Sequence, residues 1–321
     1  MSFINQLING LQVGSIYALI ALGYTMVYGI VQLINFAHGD IIMVGAYISL
    51  LLLTVAGLPI YLVVPLTMIA CAAVGMLIER VAYRPLRNSA QMSALLRRFS
   101  ERLLALFGVR HKGGDDSAAP RISALITAIG VSLLLQNLFM LVMSPNPRSY
   151  PNIIALAPLE VGSLRVSYTT IITIATSVLL MIVLHMFTKH SRTGKAMRAV
   201  SENMAAARLM GINVDTTITI TFAIGSALAA VGAILYCAAY PQVQPYMGSM
   251  PGLKAFIAAV LGGIGMLPGA MLGGFIMGIA ESLTKGFIST QFADAVVFGI
   301  LILVLVFKPS GLLGKGGSEK V

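Results

Sequence analysis

Three polar side chains stand close together in the otherwise apolar stretch QLINFAHGDIIMVGA, residues 32–46. Asn35, His38 and Asp40 supply an amide, an imidazole and a carboxylate, with Phe36 among them and glycines at 39 and 45. No catalytic constellation assembles around them, and no metal site is expected. The serine of the GSA triplet at 225–227 has no accompanying base, which argues against a protease that works inside a membrane. A phosphate-binding G-x-x-x-x-G-K-[ST] loop is also missing, since SRTGKAM and GLLGKGG lack either the glycine spacing or the final hydroxyl. The chain is therefore not expected to hydrolyse ATP, to bind a cofactor or to be an enzyme.

What those polar groups can do depends on their surroundings, and composition fixes these. Of 321 residues, 58% are hydrophobic and 10% charged, and the mean hydropathy is +0.91. A soluble domain carries about 25% charge, so the chain belongs in a bilayer. The net charge of +10 does not form a basic face on a soluble module, which excludes nucleic acid as a partner. Cys71 and Cys237 both lie in apolar runs and are expected to be buried thiols, not a disulfide. No cleavable leader is expected, because the first apolar run is a full span without a basic segment before it. Tryptophan is absent, so an aromatic belt would rest on eleven tyrosines.

A spanning helix needs about 20 apolar residues. Candidate runs cover 7–34, 40–56, 60–82, 122–143, 168–188, 215–240, a broken run at 253–283, and 292–307. The expected fold is an all-α polytopic membrane bundle of about eight segments, including broken or re-entrant helices, in a single domain over 1–321. Seventeen of the 21 Lys and Arg fall on one side of these spans. Positive charge stays inside, so the expected C-terminus is cytoplasmic. In the broken run Gly262, Gly263, Gly265, Pro268 and Gly269 interrupt the helix, and each arm reads as too short to cross alone. Helices broken inside a membrane persist where the freed backbone lines a cavity or is buried in protein. Paired breaks in the two halves of a chain point to a transport pathway. Here the pair is NFAHGD and GGIGMLPG. Similarity between the halves is weak, and tight helix packing accounts for many of the 32 glycines.

Ionisable groups inside spans are functional candidates. A plainer account makes His38 and Asp40 a helix boundary, with Asp40 capping the next helix; a pathway mouth or gate is compatible with it. Asn35, Phe36, His38, Asp40, Gly262, Gly263, Gly265 and Pro268 form the candidate pathway set. Glu281 and Asp294 are expected near solvated span ends, Glu79 with Arg80 and Arg84 in an interfacial ion pair, and His185 at the cytoplasmic surface. Residues 89–120 hold an amphipathic basic insertion, with Leu95, Phe99, Leu103 and Phe107 opposite Arg97, Arg98 and Arg102, placed on the membrane surface. The loop SRTGKAMRAVSENMAAARLMGINVDT contains a short alanine-rich helix suited to a partner's groove, with Gly211 at its end.

NGLQVGSIYALIALGYTMVYGIVQLINFAHGDIIMVGAYIS, YRPLR, LITAIGVSLLLQN and KAFIAAVLGGIGMLPGAMLGG together resemble the permease subunit of branched-chain amino-acid ABC importers, over nearly the whole chain. The resemblance implies one half of a pathway in the bacterial inner membrane, working by alternating access. Its partners would be a second related permease, two cytoplasmic ATPase subunits that use ATP, a periplasmic solute-binding protein and membrane lipid. It also implies a coupling segment at 193–211 that contacts the ATPases. There AAARLMG (205–211) matches an E-A-A-x-x-x-G pattern at Ala206, Ala207 and Gly211, with Arg208 between, but Ala205 stands in place of the glutamate. Glu202, one turn earlier, is the candidate substitute. The insertion from Ser89 to Pro120 departs from the compact loop of the family. An ion-coupled secondary transporter, a channel for a small amide such as urea, and a membrane scaffold are the alternatives; sparse midplane charges and the glycine breaks argue against the first and last.

Overall fold

A computed structural model describes residues 3–31, 35–87, 119–154, 158–161 and 164–314. Of the amphipathic insertion expected over 89–120, residues 89–118 lie outside the described residues, and Ala119 and Pro120 begin a helix. Helices run in the order α1 (Phe3–Val31), α2 (His38–Thr54), α3 (Ile60–Ile78), α4 (Arg84–Arg87), α5 (Ala119–Met143), α6 (Tyr168–His190), α7 (Arg192–Glu202), α8 (Met204–Leu209), α9 (Val214–Ala239), α10 (Ser249–Gly262), α11 (Leu267–Phe287) and α12 (Ala293–Phe307). A π-helical turn, Glu79–Tyr83, joins α3 to α4. Two short antiparallel ribbons complete the described chain: β1 (Arg148–Ser149) with β4 (Gln242–Val243), and β2 (Leu159–Val161) with β3 (Leu164–Val166).

Six helical stretches are long and apolar enough to cross a bilayer, and α2, α10 and α12 are shorter apolar helices. The chain is thus an all-α, multi-pass membrane protein. The broken run departs from expectation. Its first arm, α10, has 14 residues, but the second, α11, has 21 and is a full span. Many glycines of that arm are packing positions, not interruptions: a Cβ at Gly274 would come 2.6 Å from the Ala18 Cα, and one at Gly14 would come 2.9 Å from the Gly274 carbonyl. Small residues let α1 and α11 touch backbone to backbone. The real break is confined to 263–266, where Gly263 and Gly265 take φ of 102° and 92°, angles that only glycine adopts freely. The last carbonyls of α10 are not left bare. Leu312 N–H donates to the Leu261 carbonyl at 2.8 Å and Leu313 N–H to the Gly262 carbonyl at 3.1 Å, so the segment after α12 completes the broken helix.

α1 and α9 cross at the centre, Gly23 against Gly225, and they run antiparallel, since Ile20 faces Gly232. Around this crossing the two halves repeat with opposite sense. Tyr17 on α1 donates to Glu281 on α11 at 2.8 Å, and Thr219 on α9 donates to Glu79 at the end of α3, also at 2.8 Å. Tyr17 and Thr219, Glu79 and Glu281, and Gly23 and Gly225 are each 202 positions apart. α1 packs on α11 as α9 packs on α3, and α1 meets α10 as α9 meets α2. Such an inverted repeat places its ligand sites near the midplane, between the repeats.

Elsewhere, α5 stops at Met143 before the prolines of 145–151. Cys71 and Cys237 are free and fully buried, as their apolar runs suggest. Three placements of charge differ from expectation. Glu281 is 2% exposed, not solvated, because Lys254 Nζ at 2.8 Å and Lys285 Nζ at 2.6 Å satisfy it. Glu79 is fully buried in the π-helical turn, not interfacial, and accepts from the Thr219 hydroxyl, while Arg84 reaches Asp215 at 3.5 Å. Asp40 stands in the first turn of α2, yet no side chain caps that helix.

Candidate functional site

The side chain of Asp40 is engaged elsewhere. It is 2% exposed, and its Oδ1 accepts a hydrogen bond from Gln136 Nε2 of α5 at 2.8 Å. The same amide lies 3.3 Å from Ser132 Oγ and 3.4 Å from Ser249 Oγ. A single glutamine therefore ties the start of α2 to the start of α10. Those two helix starts lie against each other: a Cβ on Gly39 would fall 2.9 Å from the Gly248 carbonyl, and one on Gly252 would fall 2.6 Å from the Gly39 Cα. Neither start has a capping side chain; the N–H groups of His38, Asp40, Ser249 and Gly252 donate instead to nearby carbonyls, and the positive ends of two helix dipoles lie side by side.

A cavity of about 220 Å³ opens beside this junction, lined by Tyr24, Phe36, Gly39, Asp40, Ser132, Gln136, Ser249, Leu253 and Phe256. It has apolar walls with a few convergent polar groups, the pattern of a small-molecule site. Drug-sized sites run to roughly 300–1,000 Å³, so this one suits a smaller solute. Behind it, Tyr24 stacks edge-on against the His38 ring at 4.6 Å and against Phe256 at 5.8 Å. Asn35 Oδ1 accepts from the Tyr83 hydroxyl at 2.8 Å, a contact the π-helical turn makes possible. Asn35 Nδ2 and His38 Nε2 are buried without partners among the described residues, and both residues line a void of about 10 Å³, room for about one water.

Two further cavities lie along α1. Near its start, Gln6, Asn9, Gln12, Tyr240, Glu281 and Lys285 border about 270 Å³. At its end, Met26, Gly29, His185, Lys189, Arg198, Gly265 and Pro268 border about 440 Å³. The candidate pathway residues are thus divided. Asn35, Phe36, His38 and Asp40 gather at the junction, and Gly265 and Pro268 line the cavity at the end of α1. Gly262 and Gly263 pack against Gly269 and Gly314 and line none of these cavities. Ser132 and Gln136, which complete the junction with Ser249, lie in the stretch LITAIGVSLLLQN that carries the family resemblance, but nothing local marks any of the three as part of a site.

Beside the cavity at the end of α1, α7 packs on α6, α1 and α9, and α8 projects from it. Asn203 ends α7 and caps α8, its Oδ1 accepting from the N–H groups of Ala205 and Ala206 at 2.9 and 3.0 Å. Ala207 faces the bundle; Ala206, Arg208 and Gly211 are exposed, and Leu209 and Met210 are 90% and 82% exposed. Gly211 closes the segment with φ of 80°. Glu202 is exposed and is the last residue of α7. It does not lie one turn before Ala205 on a common helix, because Asn203 is extended between them.

An inverted repeat of spanning helices with a small cavity between the repeats is the arrangement of membrane transport proteins. The particular family follows from comparison with known proteins. The family described as branched-chain amino acid transport system / permease component matches residues 6–305, and the chain belongs to it. It is 41% identical to the high-affinity branched-chain amino acid transport system permease protein BraD of Pseudomonas aeruginosa, over 99% of this chain and 98% of that protein. To the corresponding LivH proteins of Salmonella typhimurium and Escherichia coli K12 it is 42% and 40% identical, again over 99% of this chain and 98% of each. No solved structure matches the chain. The protein is a permease component of a transport system, as its sequence implies.

Proposed function

We propose that the chain forms half of the membrane pathway of an ATP-driven, binding-protein-dependent importer of branched-chain amino acids in the bacterial inner membrane. Its partner across the pathway is a second, related permease. A solute-binding protein delivers the amino acid from the periplasm, and two separate ATPase subunits dock on the cytoplasmic face, where the C-terminus lies. The observation that supports this most is the succession of three cavities along α1, ending beside α7 and α8. α1 spans 29 residues, about 44 Å at 1.5 Å per residue, so it touches both sides of a ~30 Å hydrocarbon core.

The mechanism is alternating access. ATP binds the closed ATPase pair better than the open pair, and that differential affinity supplies the free energy of the change. Residues 193–211 transmit it: Leu209 and Met210 form an apolar tip for an ATPase groove, Ala206 and Arg208 flank it, and buried Ala207 fixes it to the bundle. Glu202 borders the same surface from α7. The family match favours this reading over an ion-coupled transporter or an amide channel.

Affinity purification of the tagged protein from mild detergent, with neighbouring subunits co-expressed, tests it. Two ATPase chains and a second permease should co-purify, and Ala206→Arg should remove the ATPases while the permease pair persists. A lone homo-oligomer would contradict the reading.

A further inference from the structure

The cavity of about 440 Å³ at the end of α1 has bases in its wall and no acid. Lys189 and His185 enter it from α6 and Arg198 from α7. The Arg198 guanidinium spans the two helices, its Nη2 donating to the Lys189 carbonyl at 3.2 Å. No ion pair engages Lys189 or Arg198 among the described residues. Glu202 stands one turn beyond Arg198 on α7, yet it is exposed and lies outside the wall. A cleft lined by one sign of charge concentrates the opposite ion, so this one attracts an anion. In the same wall Thr25 is 1% exposed and its Oγ1 has no partner among the described residues, a second sign of polar contents. The lipid-facing row of α6 runs into the same place. Leu179, Ile182 and Met186 are each more than half exposed and follow the spacing of one helix face, which Lys189 continues and His185 borders. An apolar strip that ends at bases suits a molecule with acyl chains and an anionic head, and basic pockets between spanning helices on the cytoplasmic side bind such heads.

We propose that this cavity holds the phosphate head of an anionic phospholipid from the cytoplasmic leaflet. Lys189 and Arg198 pair with the phosphate, and an acyl chain runs along Met186, Ile182 and Leu179. A head bound there ties α6 to α7, where the coupling segment begins, and so fixes how α7 stands against α1. A zwitterionic solute is held less well, since its ammonium meets the same cations. The inference rests on the importer reading for the side of the membrane, and adds to it a lipid contact at the base of the coupling segment.

The test uses the full chain in phosphatidylcholine nanodiscs, together with whatever subunits purify with it. Absence of ATPases from that preparation would tell against the importer reading alone, because the readout needs neither ATP nor uptake. A trace of phosphatidylglycerol carries a photoactivatable group high on one acyl chain, and labelling of residues 179–190 is read by mass spectrometry. Added phosphatidylglycerol should suppress the labelling at least fivefold, whereas added phosphatidylcholine or millimolar inorganic phosphate should not. Lys189→Gln with Arg198→Gln should also lower it at least fivefold. Arg192→Gln with Lys195→Gln, an equal loss of charge from exposed residues outside the cavity, should leave it within twofold. Equal losses in the two double variants would reduce the effect to surface charge and overturn the site. Labelling that phosphatidylglycerol and phosphatidylcholine suppress alike would overturn it too. Suppression by inorganic phosphate would make the occupant a free anion and overturn the lipid assignment. Should the first double variant fail to assemble, Lys189→Gln alone decides, since it keeps the backbone carbonyl that Arg198 binds. That variant should lower labelling at least threefold, and unchanged labelling would overturn the proposal.

Discussion

Replacing Glu281 by alanine should be the most damaging single change to the polar interior. The carboxylate accepts from the Tyr17 hydroxyl at 2.8 Å, Lys254 Nζ at 2.8 Å and Lys285 Nζ at 2.6 Å, and it joins α1, α10 and α11 at one point. Removing one member of a buried ion pair costs about 3–5 kcal/mol when the other is stranded. Here the stranding is partial. Lys254 keeps Asp294 at 2.6 Å, and Lys285, with its side chain 37% exposed, can turn to water. The loss is then about 2–3 kcal/mol, mostly the orphaned Tyr17 hydroxyl and the weakened hold on Lys254. Tyr17→Phe removes one hydrogen bond and leaves both lysines in place, for about 1.5 kcal/mol. The buried thiols of Cys71 and Cys237 permit a direct assay, because a thiol-reactive fluorogenic dye reports their exposure on heating. At roughly 2 °C per kcal/mol for a chain of this size, Glu281→Ala should melt about 5 °C lower and Tyr17→Phe about 3 °C lower. A Glu281→Ala protein within 1 °C of the unaltered one, or a larger effect of Tyr17→Phe, would refute the reasoning.

Other consequences are open to measurement. Gly278→Leu places a side chain in the backbone of α1 at Gly14 and Gly10; overpacking of about 3 kcal/mol or more should abolish the monodisperse peak in size-exclusion chromatography, where Gly130→Leu, with nothing within 4 Å, should not. Asn203→Ala removes the acceptor for two N–H groups of α8 and should cost about 1 kcal/mol, seen as faster amide exchange over 204–209 with the spans unchanged. Gly211→Val forces a β-branched residue to φ of 80°, a strain of about 1–2 kcal/mol, and should lower transport through poorer ATPase docking; unchanged subunit stoichiometry together with unchanged uptake would count against the coupling segment.

Much of this architecture is legible in the residues. Apolar run length locates the spanning helices, the prolines of 145–151 stop α5, and Gly211 marks the end of α8 in the left-handed conformation. What escapes is whatever depends on partners remote in the chain. Asp40 reads as a helix cap because local spacing favours it, and its actual partner Gln136 is 96 positions away. Glu281 reads as solvated because Tyr17, which helps bury it, is 264 positions away. The full length of α11 is obscured because glycine serves two ends: at 263 and 265 it breaks a helix, and at 274 and 278 it lets helices touch. The repeat is hidden for a related reason. At equivalent places Tyr17 and Thr219 share only a hydroxyl, so the geometry persists where residue identity does not.

The central claim is that this permease moves an amino acid by ATP-driven alternating access. Leucine uptake into proteoliposomes holding the purified complex measures that most directly, with solute-binding protein outside and ATP inside, and with the proton gradient collapsed by an uncoupler. The account predicts accumulation above the outside concentration that needs ATP and binding protein and is indifferent to the uncoupler. Accumulation that persists without ATP and vanishes with the uncoupler, or mere equilibration without either, would contradict it.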